Sequence, residues 1–181
     1  NKVIFEEEND DLGIIFRYSW MNTDRFGWVR KSEIINISEK KLEIEVLDGI
    51  QNILSYGILR QTQMQFSTLM DAYKKNELVK EVNLALYRMS SIPVDRAEPS
   101  EALRVTTVWN SGIKSPKILL STSQLDFFRQ GKAVKEETGT RGTRGAFLIN
   151  ASLNLAAGKN HEWIMVIETR QDSSDVQSLI M

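Results

Sequence analysis

Between Leu42 and Val46 the chain alternates strictly: Leu42, Ile44 and Val46 against Glu43 and Glu45. That two-residue period belongs to a strand with one buried and one wet face. Asn36, Ser38, Glu39, Lys40 and Lys41 lie just before it, where a turn between antiparallel strands is expected. The preceding run, Val29 to Ile37, predicts the partner strand. Apolar residues of both parities at Ile34, Ile35 and Ile37 place it between two layers. Asp48-Gly49 predicts a sharp loop at the end of the second strand.

The same pattern recurs on both sides. Val3-Ile4-Phe5, the turn Asn9 to Gly13, and Gly13 to Trp20 predict an opening hairpin. Strands are expected at Asn83–Met89, Leu103–Trp109 and Ile118–Ser121. The clearest alternation is Phe147, Ile149, Ala151, Leu153 and Leu155 against Asn150, Ser152 and Asn154. It turns through Ala156 to Lys159 into a last strand, Trp163–Thr169. Helical spacing is rarer. Phe66, Leu69, Met70 and Tyr73 predict a short helix, or a helical turn plus a loop, within Gln63–Leu78. Ser121–Gly131 predicts one or two helical turns with a Ser or Thr cap and Gly131 as stop. Ser173-Ser174-Asp175 resembles an N-cap, so a helix is expected to begin there. Ile92 to Glu101, with two of the three prolines, predicts an exposed connection. Many strands, hairpin turns and minor helical insertions give an all-β fold, an antiparallel two-sheet sandwich. The expected division is a β domain over 1–172 and the start of a linker helix over 173–181.

Composition narrows the chemistry. The 181 residues suit one all-β domain, and 41% hydrophobic residues supply its core. A net charge of −1 argues against a dedicated nucleic-acid or anionic-membrane binder, so neither is an expected partner. With no cysteine, disulfides, thiolate metal sites and cysteine nucleophiles are excluded. His161 is the only histidine, so a multi-histidine metal site is excluded and any Ser-His-Asp machinery would have to use it. Its place after a glycine turn reads as surface. No metal or cofactor is expected, and a cytoplasmic and a periplasmic setting both fit.

The candidate contact residues each have a bland alternative. Asp48 supplies a carboxylate at a strand end, with Asn52 and Tyr56 in the polar loop after it; a plain turn explains them equally well. Arg141 and Arg144 sit in Gly139-Thr-Arg-Gly-Thr-Arg-Gly145, a flexible segment able to meet an anion, or simply a mobile hairpin approach. Trp20 and Trp28 flank the turn Asn22 to Arg25 and are candidates for exposed sugar-stacking rings, whereas Trp109 and Trp163 continue apolar strand faces and read as core. The runs Glu6 to Glu8 and Glu136-Glu137 read as solvated surface, and no pair of acids is singled out for glycoside cleavage.

Four segments together resemble a known family: RFGWVRKSEIINIS, KKLEIEVLDGIQNILSYGI, LSTSQLDFFRQGKAVKEE and RGAFLINASLNLAAGKNHEW. Their order is similar to that in the N-terminal β-domain of cellobiose-phosphorylase-like proteins, which are inverting disaccharide phosphorylases and related glycosidases. The resemblance covers roughly Leu12 to Arg170. It implies a supersandwich of the galactose-mutarotase type, joined by linker helices to an (α/α)6 barrel that holds the catalytic groups. A domain of this kind is itself non-catalytic. It braces the barrel, lends a loop to the active-site rim, and often contributes to a homodimer interface. The implied partners are the helical domain of the same parent chain and carbohydrate, with a glycoside phosphorylase or hydrolase as the parent. The helix Gln63–Leu78 and the proline-rich connection depart from the family pattern. A free-standing carbohydrate-binding module is the alternative, and it requires Trp20 and Trp28 to be accessible.

Overall fold

The alternating runs become strands of two antiparallel sheets in the computed structural model, which describes residues 2–92 and 102–181. All of the proline-rich connection except Ile92 lies outside the described residues. The first sheet begins with the expected hairpin, β1 (Lys2–Asn9) and β2 (Ile14–Asn22), and continues into β3 (Trp28–Asn36). The chain then crosses to the second sheet as β4 (Leu42–Ile53). Two short helices follow, α1 (Arg60–Gln65) and α2 (Ser67–Ala72). The first sheet resumes with β5 (Lys74–Val79), β6 (Leu84–Met89) and β7 (Val105–Ser111). Next come β8 (Lys117–Leu119), helix α3 (Leu125–Arg129), and β9 (Gly139–Arg141). The last elements are β10 (Gly145–Leu155), β11 (Asn160–Gln171) and helix α4 (Ser173–Ile180). The large sheet runs β1-β2-β3-β11-β7-β6-β5-β9, and the small one β4-β10-β8.

The core lies between these sheets. Ala85, Tyr87, Val108, Trp163 and Met165 from the large sheet meet Ile118, Phe147, Ile149 and Leu153 from the small one. Phe147 and Ile149 are fully buried, as their parity in β10 predicts. The Tyr87 hydroxyl, wholly enclosed, donates to the Ala146 carbonyl at 2.6 Å and ties the sheets together. Burial pushes the ionisation of that phenol upward, with the Glu137 carboxylate adding to the effect.

Several expectations are corrected. Asp48-Gly49 is not a turn: β4 runs through it, with Asp48 opposite Ile149 and Gly49 opposite Leu148. The glycine is there because the strands approach closely. A methyl at Gly49 would collide with the Phe147 carbonyl oxygen and stand 2.7 Å from Leu148 Cα. The helix expected over Gln63–Leu78 ends at Ala72, because Lys74–Val79 finds a ladder with β6. Of its apolar stripe only Met70 is buried, while Phe66 and Leu69 are exposed.

Gly139–Gly145 is not a free hairpin approach, since Gly139–Arg141 pairs with Lys75–Glu77. Helix α3 is capped at Gln124 without a side-chain cap bond, rather than by Ser or Thr, while Gly131, the expected stop, follows it in the left-handed conformation (φ +70°). Helix α4 is capped by Asp172, not by a serine. The Asp172 carboxylate accepts from the Ser174 and Asp175 amides, and Asp175 reciprocates to the Asp172 amide. Glu137 is no solvated surface residue either, because it accepts from the Leu120 amide, Ser121, Ser123 and Gln124.

Candidate functional site

Strand β3 carries polar residues on its core-facing parity. Arg30, Ser32 and Asn36 share the face of Ile34, and all four are buried. A buried guanidinium needs a carboxylate. Asp48 supplies it from the facing sheet, 2.6 Å from Arg30 Nη1, with only 6% and 10% of the two side chains exposed. Ser32 Oγ also donates to Asp48 Oδ2, at 2.9 Å, and Trp163 Nε1 does so at 2.8 Å. One carboxylate oxygen thus gathers three donors from β3 and β11, and the Arg30 guanidinium stacks 4.3 Å over the Tyr18 ring. Sequence reasoning missed Arg30 and Ser32. Their parity with Ile34 was the signal that could have revealed them.

Beyond this hub, the same face of the large sheet is uncovered. The register aligns Val3 with Trp20 and Phe5 with Tyr18, and places Trp20 beside Arg30. Phe5 and Tyr18 stack with ring centroids 4.8 Å apart, and Phe16 lies 5.9 Å from Tyr18. Trp28 is 55% exposed at the end of this surface, and Trp20 is half-buried. Of the two tryptophans expected to be exposed beside the turn at Asn22 to Arg25, Trp28 is exposed and Trp20 is not, while Phe5 on the same face is also exposed. Trp163 is core, as expected. Trp109 corrects the expectation, being half-buried on the opposite face, where Phe26 packs edge-on at 5.7 Å.

The other candidates lie elsewhere. Asn52, in the left-handed region (φ +58°), and Arg144 line a cleft of about 550 Å³ with Leu54, Arg60, Gln63 and Lys74. Behind them Asp71 accepts from Lys74 Nζ at 2.8 Å and Gln63 Nε2 at 2.9 Å, with Arg144 Nε 3.4 Å away. Burial works against ionisation of Asp71. Hydrogen bonds from Lys74 and Gln63, the Lys74 charge and the Arg144 hydrogen bond outweigh it, holding the carboxyl below the usual aspartate range. Arg60 and Arg144 thus offer guanidinium donors of the kind that suit a carboxylate or phosphate group. Tyr56 is exposed beside a separate small cavity with Met70 and Met89. Arg141 lies apart from Arg144, along the β5–β9 pair. His161 Nε2 stands 2.9 Å from the Gly112 carbonyl oxygen.

Among the described residues, no group of three or more His, Cys, Asp or Glu side chains is placed to hold a metal ion. None of their helices is long and apolar enough to cross a membrane.

No family model matches the chain, and no curated protein does. Among solved structures the chain is similar to a heparinase III, the BT4657 gene product. The similarity covers 96% of this chain with 11% identity and a TM-score of 0.41, and the chain spans 20% of that protein's length.

Proposed function

We propose that this chain is a non-catalytic N-terminal β-supersandwich domain of a carbohydrate-active enzyme, a glycoside phosphorylase or hydrolase, that braces an (α/α)6 helical domain of the same parent chain. The observation that supports this reading is where the family-like segments fall. Arg25–Ser38 contains β3, Lys40–Ile58 contains β4, and Arg144–Trp163 contains β10 and the start of β11. These three of the four segments converge on the cross-sheet hub of Arg30, Ser32, Asp48 and Trp163, while the fourth, Leu120–Glu137, contains α3 and lies outside it. In this reading Asp48 is part of the frame. Asn52, Tyr56, Arg141 and Arg144 lie on the surface available to a neighbouring domain or rim. Fold alone does not specify chemistry, so the role needs a direct test.

A second reading has its own observation. Trp28 is exposed, and Trp20 half-buried, on the face that carries the Phe5–Tyr18 stack, and a carbohydrate-binding module would use such rings. Calorimetric titration with glucose, cellobiose and longer β-glucans, with and without phosphate, separates the two. Silence with every sugar, together with co-elution when the parent's helical domain is co-expressed, is the expected result for a bracing domain. Saturable heat that disappears in Trp28→Ala would instead make the chain a binding module.

A further inference from the structure

Eight strands of one sheet are faced by only three of the other. At about 4.8 Å between neighbouring strands, three cannot cover eight. The helices α1 and α2 stand beside the β5 end. At the β1 end, no described strand continues the small sheet.

The gap is bounded by β4. This strand pairs with β10 along one edge and with no described strand along the other. It runs for 12 residues without a proline, so its free edge presents a row of backbone donors and acceptors. Burial falls off toward that edge. Phe147 and Ile149 of β10 are fully enclosed, whereas Leu42, Ile44 and Val46, facing the same core from β4, are only half-buried. The floor beyond is open and, apart from the exposed Glu7 opposite Phe16, apolar: Phe16, Tyr18 and Trp20 are half-buried, and Phe5 and Val3 are 47% and 58% exposed.

We infer that the free edge of β4 is a strand-addition site for an extended polypeptide partner in which apolar residues alternate with lysine or arginine. Added strands take their affinity from main-chain bonds and their specificity from alternate side chains. The apolar set would close over Phe5, Phe16 and Tyr18. The other set would face Glu43 and Glu45, both exposed and neither with a basic partner among the described residues. Opposite charges across a strand pair stabilise it and like charges oppose it. That rule also argues against a second copy of this chain: an antiparallel β4–β4 pair centred on Ile44 sets Glu43 against Glu45. The inference is independent of the carbohydrate reading.

The test uses the 181-residue chain and a short capped peptide alternating lysine with valine. Binding is followed by the hydrogen exchange of individual amides. Saturable binding is expected, with the β4 amides not bonded to β10 slowed about tenfold or more. A peptide N-methylated on the edge-facing backbone should not bind. The double variant Glu43→Lys/Glu45→Lys, altered only at exposed positions, should bind roughly tenfold more weakly. Equal binding of the N-methylated peptide would reduce the effect to surface charge and overturn the inference. Protection confined to other strands, no binding at all, or a peptide-free dimer formed through β4 would overturn it as well.

Discussion

Trp163 Nε1 donates to Asp48 Oδ2 at 2.8 Å, joining the middle of the large sheet to the small one across 115 residues of sequence. The same oxygen neutralises Arg30, so the bond belongs to a buried ion pair rather than to a packing contact alone. The two sheets are thereby held in one relative position by a polar hub within an otherwise apolar core.

Removing one member leaves the other charge buried and unpaired. Asp48→Ala is therefore expected to lower unfolding stability by about 3–5 kcal/mol in urea titration. The double variant Arg30→Met/Asp48→Leu should lose less than the sum of the two single changes, because no charge is left stranded. Additive losses would mean that the pair is not energetically coupled.

Gly49→Ala should cost roughly 1–3 kcal/mol, since the added methyl has backbone rather than a flexible side chain in its way. Gly139→Ala is the control. Its methyl would meet nothing nearer than the Asn76 carbonyl oxygen at 3.7 Å, and its effect should stay within about 0.5 kcal/mol. Equal effects in thermal melts would remove close strand approach as the reason for Gly49.

These two sites also mark how far the sequence could be read. The alternation of Leu42–Val46 and Phe147–Leu155 announces strands because a two-residue period is a local signal, and both are strands with the expected faces inward. Asp48-Gly49 is read as a turn because the pair favours turns locally. The reason for its extended course is contact with Phe147 and Leu148, which no local pattern contains. Lys74–Leu78 is lost to a helical reading for a similar cause, as its strand exists through pairing with β6. The turn beside them marks Trp20 and Trp28 alike as candidates for exposure, yet only Trp28 is exposed. Arg30 could not be joined to Asp48, because that pairing depends on how the sheets stack.

Among the tryptophans, Trp28 and Trp163 are the extremes in exposure. Trp28→Ala should change stability by no more than about 0.5 kcal/mol, yet remove much of the fluorescence that acrylamide quenches. Trp163→Phe, which strips a buried donor from Asp48, should cost about 1–3 kcal/mol and leave the quenchable emission itself intact. Undiminished quenching in Trp28→Ala would contradict the exposed position.

The acid side of the stability profile follows from three carboxyls. Asp71 is held below its ordinary range as described above. For Glu77 burial opposes ionisation, but hydrogen bonds from Lys75 and Arg88 and the charges of both outweigh it. A carboxyl whose folded pKa lies below its unfolded value contributes stability above the unfolded value. That contribution disappears as pH falls through the folded one. Stability should therefore decline below the ordinary carboxylate range near pH 4, and Asp71→Asn or Glu77→Gln should flatten the decline. Glu168 has the opposite sign: burial, then the Asp175 charge, raises its pKa, so its ionised form disfavours the fold. Glu168→Gln should accordingly stabilise the protein at neutral pH and lose that advantage in acid. Urea midpoints measured from pH 3 to 8 for the three variants check both signs, and an unchanged slope in Asp71→Asn and Glu77→Gln would show that those ion pairs carry no pH-dependent stability.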